Sequence, residues 1–379
     1  VEDKQEPESD DDDDEEYEYK SRWGPILAIT DSSFIALAQR ISPSTSTLWE
    51  VEKRTEGTFN HAVILKNLNT RIVIKVPVVA TPARWQAAQA KIMRSQVHTM
   101  THIKTEIPHF PIPCVIAWDT TFNNEIQVPY LAETFIEGKS AWNIWYDKDK
   151  NGEYDCTNSD FPSEEREKLR VTFLQSLAKT MAELRTLEFD QIGMMYFEDD
   201  DPSKATIGPY VEWLGRGNEE NRLYFERSVA ASAEEYYIDQ VREKELPMDK
   251  PQTKAISIIL DSIFKSSPFD SSKKTGEEKE TFTFRHDDLA LQNIICSDKG
   301  EVTGIIDWDN VSTVPRCVGF SSLPFFLWED WDDYYVLSKE YVHSPWTLDR
   351  YRNVYANAMI GVCGVDSDAK YTAKSHIYN

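Results

Sequence analysis

Apolar positions change their spacing about a third of the way along this chain. Residues 59–65 and 71–79 are rich in Val, Ile and Phe, with the turn-forming run Asn67-Leu68-Asn69-Thr70 between them, and predict an antiparallel hairpin. Residues 33–38 predict a short helix ahead of it, and residues 82–104 a longer one, with Pro82 in its first turn. Residues 107–113 break that helix, and 114–117 and 125–134 read as two further strands. Beyond 135–138 the period lengthens. Trp142–Trp145 and residues 164–187 read as helices, the second carrying Leu169, Phe173, Leu177, Met181 and Leu184 on one stripe. Residues 220–245 and 251–265 are also helical by pattern, and 266–279 are an exposed loop. Residues 281–286 and 302–307 are short strands bracketing a polar loop, and the aromatic tail after 320 is helical. The pattern is a small β-rich part followed by a helical one, with the boundary near 134–140.

A chain of 379 residues can bury a large core, as two lobes or domains. Its net charge of −24 is partly local: residues 1–18 hold twelve acids and one Lys, a net of −11, which leaves −13 for the rest. The acidic run 10–16 repels itself and has nothing apolar to bury, so 1–18 are expected to form a disordered tail. The acidic body argues against nucleic acid as a partner and is compatible with a cationic small substrate. No apolar stretch reaches the length of a membrane span, and the acidic start does not resemble a signal peptide. Five scattered cysteines without a CxxC pair predict reduced thiols in a cytoplasmic setting and no zinc site.

The chemistry concentrates late in the chain. Asp288, in His286-Asp287-Asp288, follows a β-like run, and its carboxylate can orient a hydroxyl and accept its proton. Asn293 offers a hard carbonyl ligand for Mg²⁺, and Asp307 closes the next apolar run in Ile306-Asp307-Trp308. If the strands flanking the polar loop pair, Asn293 and Asp307 meet at one end of them. His286 fits a ring that braces the loop through backbone better than a base. An ordinary hairpin with turn-forming Asp and Asn explains either segment alone, but poorly explains both in this order.

The pair of segments resembles the catalytic signature of the aminoglycoside phosphotransferase and choline kinase-like family: His-Gly-Asp, four residues, Asn, then a strand ending in Ile-Asp-Trp. The resemblance implies an α+β, protein-kinase-like two-lobed fold, with a small antiparallel β N-lobe over 19–136 that binds nucleotide. A helical C-lobe over 137–379 would carry the catalytic loop and the substrate site. It implies Asp288 as the catalytic carboxylate, in a loop with His286, and Asn293 and Asp307 as metal ligands. Asp287 stands where the family often has Gly.

By the same resemblance Lys75, in Ile74-Lys75-Val76, holds the phosphates of ATP, and the backbone of Gly57, Thr58, Phe59 and Asn60 covers them. Gln96 occupies the helix position where relatives carry the Glu that pairs with this Lys. A neutral amide can accept a hydrogen bond there but cannot form an ion pair. Glu133, Thr134 and Phe135 resemble the hinge whose backbone reads adenine. The resemblance covers about residues 50–320. It implies an ATP- and Mg²⁺-dependent kinase acting on a hydroxyl of a small molecule. The aromatic, acidic run Trp328-Glu329-Asp330-Trp331 suits a cationic acceptor, or else is an amphipathic helix. The alternative is a catalytically inactive, kinase-like regulatory protein that binds nucleotide or ligand. A protein acceptor is disfavoured, because no activation segment with the usual ending is recognisable.

Overall fold

Alternation of buried and exposed residues builds the first sheet of this computed structural model. Residues 22–43, 48–68, 70–156, 159–213, 222–243, 251–266, 279–331, 335 and 343–378 are described. The expected tail 1–18 lies outside them, as do residues 214–221 and most of the expected loop 266–279. Contacts divide the chain into two compact units. Val1–Met93, Val115–Phe135 and Trp213–Phe225 form one; Arg94–Cys114, Ile136–Glu212 and Glu226–Asn379 form the other. The linear division at 136/137 therefore misses two excursions, one at 94–114 and one at 213–225.

The first unit is built on strands β1 (Glu50–Glu56), β2 (Asn60–Lys66), β3 (Arg71–Pro77), β4 (Val115–Asp119) and β5 (Tyr130–Thr134). They form an antiparallel five-stranded sheet in the order β1-β2-β3-β5-β4. Val63, Leu65, Ile72, Ile74 and Val76 share one face and pack on Trp23, Phe34, Leu37 and Trp49. Helix α1 (Asp31–Ile41) covers that face, and Thr30 caps it by accepting from Ser33 N at 3.2 Å. Strand β1 shows no apolar alternation, which hid it in the sequence. It is a charged edge strand, with Glu50 and Glu52 paired to Lys66 and Arg71. Helix α2 (Ala87–Glu106) begins five residues after Pro82, which sits in a turn closed by Trp85 N on the Thr81 carbonyl.

The second unit begins with β6 (Lys139–Ser140), α3 (Trp142–Trp145) and the small ribbon β7 (Asp147–Lys148) and β8 (Tyr154–Asp155). Next come α4 (Glu164–Met181), β9 (Met194–Phe197) and β10 (Ala205–Gly208). Strands β11 (Tyr210–Trp213) and β12 (Tyr224–Arg227) form the ribbon through which the chain visits the first unit and returns. Thus the expected helix 220–245 is a strand followed by α5 (Ala233–Glu243), with α6 (Pro251–Phe264) after it. Strands β13 (Phe282–Arg285), β14 (Ile294–Cys296), β15 (Val302–Ile305) and β16 (Ser312–Pro315) precede α7 (Pro345–Cys363). Residues 325–331 form 3₁₀ turns, not an amphipathic helix.

The core of this unit lies where α4 meets α7. Phe173 and Leu177 on α4 and Tyr351 and Tyr355 on α7 are fully buried, each large side chain contributing about 1.5–3 kcal/mol. Arg170, also buried, is satisfied by the carbonyls of Trp145 at 2.6 Å and Ser159 at 2.7 Å and by the Tyr351 hydroxyl at 2.9 Å.

Candidate active site

The polar loop 286–293 enters from β13 and leaves into β14. The two strands expected to pair across it do not. Strand β13 pairs with β16, and β15 pairs with β14, a three-residue strand too short to show in the sequence. The β14–β15 hairpin brings the expected ligands together all the same. Ile294 lies opposite Ile305, and Ile306 N donates to the Asn293 carbonyl at 2.9 Å, so Asn293 and Asp307 share one end of the hairpin. Asp307 has a φ of 65°. This left-handed backbone is unusual for a side chain other than Gly, and Asp tolerates it better than most.

Asp288 is joined to this pair through Asn293. The buried Asn293 amide donates from Nδ2 to the Asp288 carbonyl at 3.0 Å and to its carboxylate Oδ2 at 2.8 Å. The Asp288 carboxyl keeps an exposed edge, yet it lies above the usual carboxylate range. Partial burial is the main cause, the negative charge of Asp307 the next, and Asp287 the least; the Asn293 hydrogen bond opposes them. A carboxyl tuned upward is the better proton acceptor. Among the described residues, no group of three or more His, Cys, Asp or Glu could hold a metal ion. The oxygen set of Asn293 and Asp307 includes an amide and is not such a group.

The loop is braced on several sides. His286 Nε2 donates to the Ile306 carbonyl at 3.0 Å, and its ring stands edge-on to Trp308 at 4.7 Å. His286 therefore braces the loop through backbone. Asp287, in the position of the family's Gly, pairs with Arg285 at 2.8 Å, which offsets its charge beside Asp288. Ser140 Oγ donates to the Leu291 carbonyl at 3.0 Å, and Phe325 N to the Leu289 carbonyl at 3.2 Å.

In the sheet unit Lys75 points away from the apolar face of β3. Its Nζ lies 3.2 Å from Oε1 of Glu133, whose side chain is 3% exposed. The register explains the pair: Glu133 faces Val73, one step diagonal from Lys75 on the same face. Lys75 thus has a carboxylate partner, contrary to the expectation drawn from Gln96. Gln96 itself is buried on α2, with Nε2 lacking a hydrogen-bond partner among the described residues. Glu133 also departs from its expected hinge role, since its backbone sits in the ladder between β3 and β4. Thr134 pairs with Ile72 at the end of β5, and Phe135 N donates to the Arg71 carbonyl at 3.3 Å. Gly57, Thr58, Phe59 and Asn60 form the tight turn of the β1–β2 hairpin, closed by Gly57 N on the Asn60 carbonyl at 2.9 Å.

Residues 56–340 match the model of the phosphotransferase enzyme family. The chain belongs to that family. Its antiparallel sheets and helices form the α+β fold expected from the catalytic signature. This phosphotransferase-family chain is 33% identical over 98 residues to a subtelomeric hrmA-associated cluster protein of Aspergillus fumigatus, covering 25% of this chain and 18% of that protein. It is 25% identical over 143 residues to altered inheritance of mitochondria protein 9, mitochondrial, of Candida albicans, covering 37% of this chain and 20% of that one. It thus spans only about a fifth of the length of these relatives. Among solved structures, the aminoglycoside phosphotransferase APH(4)-Ia is similar with a TM-score of 0.42 and 14% identity, covering 92% of this chain and 98% of that one. A macrolide 2'-phosphotransferase type I has a TM-score of 0.41 and 14% identity, covering 91% and 87%.

Within this phosphotransferase-family chain, sequence reasoning missed three contributors: strand β14, the carboxylate of Glu133 as partner of Lys75, and Arg285 as counter-charge to Asp287. Only Arg285 carried a local signal, being two residues from an extra Asp.

Proposed function

We propose that this chain transfers the γ-phosphoryl group of ATP to a hydroxyl of a small molecule. The observation that carries the proposal is the joining of Asp288, Asn293 and Asp307 at one end of a single hairpin. Asp288 orients the acceptor hydroxyl and takes its proton as the oxygen attacks phosphorus, with ADP as the leaving group. Mg²⁺ fits the residues present: the donors are hard oxygens, and Asn293 already uses its N–H groups on Asp288, which leaves Oδ1 as its ligand atom. Asn293 and Asp307 would hold the ion, which supplies charge neutralisation on the phosphates. Lys75, fixed by Glu133, is assigned to the same phosphates, with the backbone of turn 57–60. The backbone of Thr134 and Phe135 is assigned to the adenine edge.

The inactive alternative rested on Lys75 lacking an ion-pair partner, and the Glu133 contact removes that reason. A cytoplasmic setting, from the scattered thiols, belongs to the same proposal. No helix among the described residues is long and apolar enough to cross a membrane. The test is a screen for transfer of labelled γ-phosphate to amines, amino sugars and hydroxylated antibiotics, with and without Mg²⁺. Transfer to at least one such acceptor, dependent on the metal, is expected. Nucleotide binding without transfer to any of them would favour the regulatory alternative.

A further inference from the structure

The β1–β2 turn is held by more than its own hairpin. A hairpin tip ordinarily needs only its closing hydrogen bond, and Phe59, 46% exposed, has no place in the core. Yet the chain returns to the sheet unit at Trp213–Phe225, far along the sequence, and what it brings back lands on Phe59. The guanidinium of Arg222 lies over two rings, 4.5 Å from the centre of Trp213 and 5.7 Å from that of Phe59. The two rings meet edge to face at 6.3 Å and 82°. Arg222 is only 8% exposed. Burying a guanidinium is costly unless aromatic faces or acceptors replace its water.

The returning segment is itself anchored. Gln86 Nε2 donates to the Arg222 carbonyl at 3.0 Å, and Gln89 Nε2 to the Tyr224 hydroxyl at 2.6 Å. A second guanidinium, that of Arg22, donates to the Thr58 carbonyl. Val78 N donates to the Phe59 carbonyl at 2.8 Å. Two cationic side chains therefore converge on a four-residue turn in a chain whose net charge is −24. Packing alone would be served by any apolar side chain at 222. A fixed positive charge serves a turn that must receive an anion.

We propose that Arg222, gripped between Phe59 and Trp213, is a positioning residue for the nucleotide. It fixes turn 57–60 in one backbone conformation and sets positive charge beside the polyphosphate. This rests on the assignment of that turn to the phosphates of ATP. It adds a determinant from outside the β1–β2 hairpin and some 160 residues later in the chain.

The test is steady-state kinetics of the full chain with ATP varied, alongside hydrogen exchange of the backbone amides at 57–60 without nucleotide. Arg222→Ala should raise the ATP KM about tenfold while kcat stays within about threefold and the acceptor KM is unmoved. Arg222→Lys keeps the charge without the planar fork and should fall between. Phe59→Leu alters a half-exposed ring, leaves the core intact and should move the same KM in the same direction. It therefore carries the test if Arg222→Ala does not fold. Both the Ala and the Leu variant should exchange faster at 57–60. Nucleotide-dependent turnover with an unchanged ATP KM in Phe59→Leu and Arg222→Ala would overturn the role of Arg222 alone. A rise in the acceptor KM instead would do the same. A native chain that binds no ATP would overturn this inference together with the nucleotide assignment.

Discussion

Asp288 and Lys75 are each held by a neighbouring side chain. Asp288 is pushed up by partial burial and by Asp307, and is held in place by the Asn293 amide. Asp288→Asn keeps the shape and the Asn293 contact but removes the proton acceptor. It should lower kcat by about a hundredfold or more with the ATP KM nearly unchanged, as measured by initial rates. Lys75 pairs with Glu133 in a setting where both side chains are largely out of water. Breaking such a pair from one side typically costs about 3–5 kcal/mol. Glu133→Gln should therefore lower the urea midpoint and raise the ATP KM together, whereas an unchanged ATP KM would separate Lys75 from the nucleotide. The candidate residues Asp288, Asn293, Asp307 and Lys75 were legible in the sequence because each sits in a short, ordered run. The Lys75 partner was not, because it depends on β5 lying beside β3, and strand order leaves no trace in local pattern.

The β14–β15 hairpin shows the same limit among elements. Strand β14 has three residues, below the length at which alternation can be read, and β15 contains Gly304, which local propensity disfavours. That Gly is explained by packing. A Cβ at Gly304 would lie 2.6 Å from Cγ2 of Ile136, so the segment after β5 rests directly on the hairpin that carries Asn293 and Asp307. Gly138, at a φ of 146°, has the same close approach to Ile295 and the Cys296 carbonyl. Gly304→Ala should cost about 1–3 kcal/mol in denaturant unfolding, with kcat reduced because the hairpin end moves.

At the start of α7, His343 is the corresponding knot. Its Nε2 accepts from the Trp145 indole at 2.8 Å, so Nδ1 carries the proton and donates to Asp160 at 3.2 Å. Burial, and next the charge of Arg170, push His343 down to about 4 from 6.5. The unfolded chain thus binds this proton first as pH falls. The contribution is fully present above about pH 6.5 and is lost progressively toward pH 4, up to about 3 kcal/mol. Urea midpoints should fall between pH 7 and pH 5, and His343→Gln, which can donate and accept at the same places, should flatten that slope.

For the whole molecule, the succession from β-rich to helical segments was readable, because the period of apolar residues changes near the end of β5. The two excursions that complicate it were not readable. Residues 94–114 continue a helix whose first turns belong to the other unit, and 213–225 return through a two-stranded ribbon with no break in composition. Both depend on contacts between residues far apart in sequence, which no local spacing encodes. The acidic balance of the chain bears on partners at this scale too, since under the proposed function local cations would hold ATP against a net charge of −24. Lys75, Mg²⁺ and the arginines at turn 57–60 are the cations assigned to that task.

The most direct measurement is transfer of labelled phosphate from ATP to an acceptor hydroxyl, run on the native chain, on Asp288→Ala and on Asp307→Ala, each with Mg²⁺ and with a chelator. The native chain with Mg²⁺ should transfer label, and every other combination should fall to background. Transfer or ATP hydrolysis that continues at the native rate in both variants would contradict the assignment of the site.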